Sequence, residues 1–514
     1  MPRLKSLSLV SVALFLLAAC ATRPEVIPTP AEYALEGTSS GILAEAEARL
    51  EPPLNEDESA LHLLTAGNEA LQWRLALVDM AQREINLQYF IWHDDASGSL
   101  LMEHIFHAAD RGVKVRMLID DFHLVSHAGL SGDDRNFAAL AYHPNIDLRL
   151  FNPGKYRGGT LGIVGSMASD SKRFNRRMHN KTLEVDGHFA VVGGRNIGDE
   201  YFGLASEFNF VDFDAVVTGS AVAQVRAAFD LYWNSDLPFP ASQLASVDEA
   251  DYLDLRKDNT EYVAEQQEKL ANFTNLNPLD FLDTFYRKSV RGQAEFYVDT
   301  PSAERNEAER LYEKIQSVVS VPEEEMLQVT PYMIPARDFL KHTEEEAQAG
   351  IESRLLTNSL ATNNQPSVHA HYEQYRARLM DRGVQLYELH HQPGTELRGL
   401  TDTDPVSADF IALHMKAAVI DRRECLIGTM NSDPRSLDIN TEDVMHIHSE
   451  TFCGALANHV DLLMAGENAW KVARDEKGKP SWTSYEGTVE KQPVRKSSQR
   501  FRDWLYRIFP EKQL

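Results

Sequence analysis

Two stretches of this chain carry the same residues at the same spacing, and that duplication constrains the fold more than any other feature. The first runs from His179 to Asn196 and the second from His414 to Asn431. In each, a lysine lies two residues after the histidine (Lys181, Lys416), an aspartate seven after (Asp186, Asp421), a glycine fourteen after (Gly193, Gly428) and an asparagine seventeen after (Asn196, Asn431). A spacing of two puts His and Lys on one face of a β-strand, and the aspartate, five beyond the lysine, falls on the other face. A chemical role is therefore expected for His and Lys and a structural one for Asp186 and Asp421. Average residue usage produces such a pattern by chance in on the order of one chain in ten thousand or fewer, so two copies mark an internal repeat.

Each copy supplies one imidazole, one ammonium and one carboxamide. Facing copies would complete a site in which a neutral imidazole attacks phosphorus and a protonated one serves the leaving oxygen, with two lysines and two asparagines around the phosphoryl oxygens. Lys181 and Lys416 would neutralise that charge, so neither metal nor cofactor is needed. Two further carboxylates, Glu207 and Glu442, lie 28 residues after their respective histidines. They are the candidates to orient the two rings. Gly194 and Thr429 occupy equivalent places after the motif glycines, where close backbone approach or a hydroxyl could meet phosphate. Arg435 can fork onto a second phosphate or serve as a salt bridge. His188, His446 and His448 have no motif partners, and Arg195 and Met430 are expected to be neutral to the chemistry.

The double motif resembles that of the phospholipase D superfamily. The block Asn431-Ser432-Asp433-Pro434-Arg435-Ser436, followed by Asn440-Thr441-Glu442, is similar to the bacterial cardiolipin synthases, the C type especially. The resemblance covers about residues 60 to 470. It implies an α/β fold of two phospholipase D-like α-β-α sandwich domains that form a pseudo-twofold pair with a shared active site. It implies phosphatidyl transfer through a phosphohistidine on His179, with His414 as the acid, and a glutamate orienting each ring. Hydrolysis to phosphatidic acid is the alternative. A nuclease is disfavoured by the net charge of −26, which repels polyanions, and a catalytically dead envelope lipoprotein by the intact His and Lys pairs.

The same negative charge argues against adhesion to an anionic membrane by charge alone. The N-terminus offers another means: Arg3 and Lys5, an apolar run from Leu7 to Leu17, then Leu17-Ala18-Ala19-Cys20. A short apolar segment closing on cysteine resembles a bacterial lipoprotein signal, with Cys20 acylated after removal of residues 1–19. By resemblance to enterobacterial sorting, Ala21 in place of an aspartate at the following position implies the outer over the inner membrane, the protein facing the periplasm. The expected partners are phospholipid substrates and a membrane reached through Cys20, without nucleic acid; no residue identifies an accessory protein. Cys425 and Cys453 are expected to be buried small hydrophobes, a disulfide being possible in an oxidising envelope.

The chain divides into a Pro- and Glu-rich tether at 20–58 that lifts the globular part off the lipid, a first domain at 59–240, a helical connection at 241–285, a second domain at 286–470 and a tail at 471–514. Strands alternating with helices in both domains predict a mainly parallel or mixed sheet covered on both faces. In the tail, Phe501, Trp504, Leu505 and Ile508 follow helical spacing among Arg495, Lys496, Arg500, Arg502 and Arg507. A helix docked on the core is expected, and a helix on a membrane surface is the other reading.

Overall fold

The computed structural model describes residues 23–122, 134–157, 166, 169, 173, 175–302, 310–335 and 337–507. Cys20 and its signal segment, and Ile508 of the tail, lie outside them. Among the described residues no helix is long and apolar enough to cross a membrane.

Three parallel strands, Glu84–Tyr89, Lys114–Asp120 and Ile146–Phe151, form the classifying feature of the first half. Thr182–Val185, Phe189–Gly193, Asp214–Gly219 and Glu58–Leu64 follow antiparallel beside them. The second half repeats the plan with Glu325–Val329, Glu352–Asn358 and Gln385–Leu389 in parallel, then Ala417–Ile420, Glu424–Gly428, Asp443–His448 and Val290–Val298. Glu58–Leu64 pairs antiparallel with Val290–Val298, Leu61 opposite Val290. The two halves therefore share one mixed sheet, with the pseudo-twofold at that central strand pair. They also share a core, in which Phe213, Ala215 and Val217 join Ile427, Met445 and Ile447.

Helices cover both faces, as crossovers between parallel strands require. Asp95 caps Ala96–Asp110, its carboxylate accepting the Gly98 N–H, and Ser449 caps Glu450–Met464 through Phe452 N–H. A Cys425–Cys453 disulfide ties this last helix to the strand Glu424–Gly428, so the two thiols are not the free small hydrophobes expected. The connection is built into the first half. Arg256 pairs with Asp110, and Phe281 and Phe285 of Pro278–Lys288 meet the Trp73 ring at 5.3 and 6.1 Å.

Two assignments of the termini need correction. The segment at 23–57 does not lift away: Ala34 N–H donates to Asp230, Leu35 N–H to Glu84 at 2.7 Å, and Glu32 pairs with Lys114. His188, which has no motif partner, clamps this segment by bonding Glu47 at 2.7 Å and the Thr38 carbonyl at 2.8 Å. Composition suggested a solvated tether, but its polar groups have fixed partners. At the other end, the boundary at 470 falls inside a strand, Ala469–Arg474, which with Pro480–Ser484 and Gly487–Val489 extends the sheet.

Candidate active site at the interface of the halves

Each motif histidine enters the site directly after a short parallel pairing with the other half. Met178 bridges Thr441, and His179 N–H donates to the Thr441 carbonyl at 2.8 Å. Symmetrically, Phe410–Leu413 runs parallel to Phe208–Val211, and His414 N–H donates to the Val211 carbonyl at 2.9 Å. These pairings place each imidazole beside the carboxylate that follows in the other half. His179 Nδ1 lies 2.7 Å from Glu442, and His414 Nδ1 lies 2.6 Å from Asp212. An ionised carboxylate accepts the Nδ1 proton, which leaves each Nε2 with its lone pair turned to the site.

Asp212, not Glu207, is thus the partner of His414. Glu207 is exposed on the surface. The sheet register explains the miss: Gly193 stands opposite Asp214 and Gly428 opposite Val444, so two residues earlier Asp212 is the equivalent of Glu442. The loop after Asn196, containing the short helix Asp199–Tyr201, carries five more residues than its counterpart and shifts the carboxylate along the chain. Aligning the strands that follow the motifs, in place of a fixed offset, would have found Asp212.

The four reactive side chains are deeply buried: His179 is 7%, Lys181 2%, His414 5% and Lys416 3% exposed. Lys181 and Lys416 each donate to the carbonyl of their own motif histidine. Burial, with the charge of both lysines, pulls the His179 pKa down to about 4, against the raising effect of Glu442. Burial and Lys416 pull His414 down to about 3, against Asp212. Both imidazoles are therefore neutral at neutral pH before substrate arrives. The lysines are depressed too, by burial, Lys181 to about 8 and Lys416 to about 7. Pairing with the histidines overrides burial at the carboxylates, taking Asp212 to about 2 and Glu442 below its ordinary value. Because each imidazole and each lysine senses charged groups of the opposite half, the two motifs form one electrostatic cluster. Aromatic rings wall it: Phe90 meets His179 at 4.9 Å, and Tyr201 and Phe210 meet His414 at 5.2 and 4.9 Å.

The remaining motif residues divide between the site and its scaffold. Asp186 and Asp421, although part of the motif, stand apart from the four reactive side chains, in the structural place that their strand face predicts. Asp186 accepts the N–H groups of Gln82, Arg83 and Glu84, and Asp421 those of Glu323, Glu324 and Glu325. Both sit at positive φ, 56° and 49°, where a short polar side chain at the hairpin turn is tolerated. Each locks a motif hairpin to the neighbouring strand. Asn196 is held by Ile91 N–H and donates to the Tyr201 hydroxyl at 2.8 Å. The buried Asn431 carboxamide oxygen has no hydrogen-bond partner among the described residues.

Gly194 does not approach a phosphate site: a Cβ there would come within 2.3 Å of Asp212, so the glycine makes room for that carboxylate. Thr429 exchanges hydrogen bonds with the Asp443 backbone, and its hydroxyl also helps hold the Glu442 carboxylate below its ordinary value. Arg435 reaches across to donate to the Asn175 carbonyl at 2.8 Å, and lies close enough to Arg177 for the two charges to oppose each other. Arg195, expected to be neutral, is buried and binds Asp214 and the Leu64, Thr65 and Asp212 carbonyls. Among the described residues, two clusters have metal-ligand spacing: Glu424 with His446 and His448, and His93 with Asp95 and Glu200. In the first, His446 Nε2 already pairs with Glu424 at 2.7 Å.

Comparison with known proteins agrees with this geometry. The family described as "Cardiolipin synthase, PLD-like domain" matches residues 75–233 and 319–464, one match in each half. Cardiolipin synthase C of Escherichia coli (strain K12) is 34% identical over 433 residues, covering 80% of this chain and 86% of that protein. The major cardiolipin synthase of Bacillus subtilis (strain 168) is 24% identical over 414 residues, covering 80% and 70%. Among solved structures, phosphatidylserine synthase of Haemophilus influenzae Rd KW20 superposes with a TM-score of 0.52 at 14% identity, covering 82% of this chain and 90% of that one, a likeness of fold. With both halves matched and their motifs meeting in one buried centre, the chain belongs to the cardiolipin synthase family of phospholipase D-like proteins.

Proposed function

We propose that the chain is a phosphatidyltransferase that makes cardiolipin from two phospholipids through a phosphohistidine. The observation that carries this reading is the pair of buried imidazoles, each turned by a carboxylate of the opposite half, in one cluster with two lysines. The names of its relatives point to the same product.

The steps follow from the charges. A phosphodiester between Lys181 and Lys416 cancels much of the positive field that keeps His414 neutral, so a proton enters His414 with the substrate. His179 Nε2 then attacks phosphorus, the bond from phosphorus to the headgroup oxygen breaks, and His414 gives its proton to the departing alcohol. An acceptor alcohol next loses its proton to His414 and attacks the phosphohistidine, and the P–N bond breaks. Glu442 stabilises charge on His179, and Asp212 that on His414. Deep burial of all four groups favours a lipid alcohol over bulk water as acceptor, and Arg435 beside Arg177 is suited to a second phosphate. The lipoprotein reading of Cys20 supplies attachment to the envelope membrane, facing the periplasm, with the outer membrane favoured over the inner.

The test is to incubate the purified protein with phosphatidylglycerol, with and without phosphatidylethanolamine, and identify lipids by mass spectrometry. Cardiolipin is the expected product. Phosphatidic acid alone would make the protein a hydrolase.

A further inference from the structure

The C-terminal helix Ser498–Tyr506 is docked through its polar edge. Gln499 and Asp503 face the protein, 8% and 2% exposed. Gln499 donates to the Leu360 carbonyl at 3.0 Å, and Asp503 pairs with His369 Nδ1 at 2.8 Å. Phe501, Trp504 and Leu505 are left 64%, 59% and 44% exposed, with the two rings 6.0 Å apart. An amphipathic helix that packs only for stability buries its apolar stripe. Here a carboxylate has been taken inside, with a histidine to match it, and the stripe turned outward.

The surroundings of the stripe are basic in a chain of net charge −26. Lys491, Lys496, Arg500 and Arg502 are exposed on or beside the helix against one exposed acid, Glu490, while the one acid of the helix itself, Asp503, is buried. Exposed aromatic and aliphatic side chains flanked by Lys and Arg are the chemistry of a helix lying in the interface of an anionic bilayer. The helix is also coupled to the reaction centre. The Arg495 guanidinium lies 3.2 Å from the centroid of Phe410, whose ring meets Phe208 at 5.3 Å; Phe208 meets Phe210 at 5.1 Å, and Phe210 meets His414 at 4.9 Å.

We propose that this helix is a second membrane contact, separate from any lipid on Cys20: Phe501, Trp504 and Leu505 enter an anionic phospholipid surface and the basic residues bind its headgroups. The ladder of rings then holds the catalytic centre at a set offset from that surface. The inference rests on the phospholipid reading for the choice of surface.

The test uses the full-length protein reconstituted into vesicles of phosphatidylcholine, alone or mixed with phosphatidylglycerol, with brominated acyl chains as the quencher of tryptophan emission. Wild type is expected to show lipid quenching that is lost in Trp504→Phe and weakened in Arg500→Gln/Arg502→Gln and in phosphatidylcholine alone. Equal lipid quenching in wild type and Trp504→Phe would overturn the proposal. So would shielding of Trp504 that depends on protein concentration and not on bromine, which would assign the stripe to a second copy of the chain. Emission does not depend on turnover, so repeating the measurement in His179→Ala separates failure of this inference from failure of the proposed activity.

Discussion

His414 and Asp212 meet at 2.6 Å across 202 residues of chain, the mirror of His179 and Glu442 at 2.7 Å across 263. Each half therefore carries an imidazole that only the other half can orient. A single half presents the motif in full and still has an unoriented ring.

Removing the charge of Asp212 while keeping its shape tests this pairing. Asp212→Asn leaves His414 free to take the wrong tautomer and should lower kcat by about 10³-fold. Glu207→Gln should leave kcat within about twofold of wild type, since exposed substitutions are usually mild. Steady-state assays of lipid transfer compare them.

Trapping separates the two histidines. With a phosphatidyl donor labelled at phosphorus, wild type and His414→Ala denatured at alkaline pH, where the P–N bond survives, should carry label, and His179→Ala none. Label that persists in His179→Ala and disappears from His414→Ala would exchange the roles.

The lysines set an alkaline limit. Their pKa values are depressed to about 8 and about 7, so each is charged below its value and loses its proton, and its attraction for phosphate, as pH rises through that window. The ratio kcat/KM should fall above pH ~7–8, a range that belongs to the coupled pair. Lys416→Arg, which stays charged, should shift that fall to higher pH if it retains activity, measurable in a pH profile of transfer.

The motif aspartates should register in stability first. Asp186→Ala or Asp421→Ala strips an acceptor from three backbone N–H groups and should cost about 2–4 kcal/mol of folding stability. Thermal unfolding reads this directly, and the histidine-carboxylate contacts should survive below the lowered Tm.

What the residue order conveyed well was local. The offset from His179 to Asn196 repeats faithfully because it spans one strand-turn-strand unit pinned at Asp186, whose geometry allows no insertion. Past Asn196 the chain enters a loop, where added residues cost little, and the equal-offset rule pointed to Glu207 in place of Asp212. The tail shows the same division. Periodicity marked the apolar face of Ser498–Tyr506 but not its direction, because Asp503 is turned inward by His369, 134 residues away. The acids of the N-terminal segment read as solvated for want of any sign that Lys114 and His188 await them.

The strand pair Glu58–Leu64 and Val290–Val298 welds the halves by main-chain hydrogen bonds along the middle of a common sheet. Prising them apart like a clam would tear that weld, so opening by rigid parting of the halves is denied to this molecule. A phosphatidyl group carried on His179 would therefore meet its acceptor in the same fixed centre, between halves that the sheet keeps at one spacing.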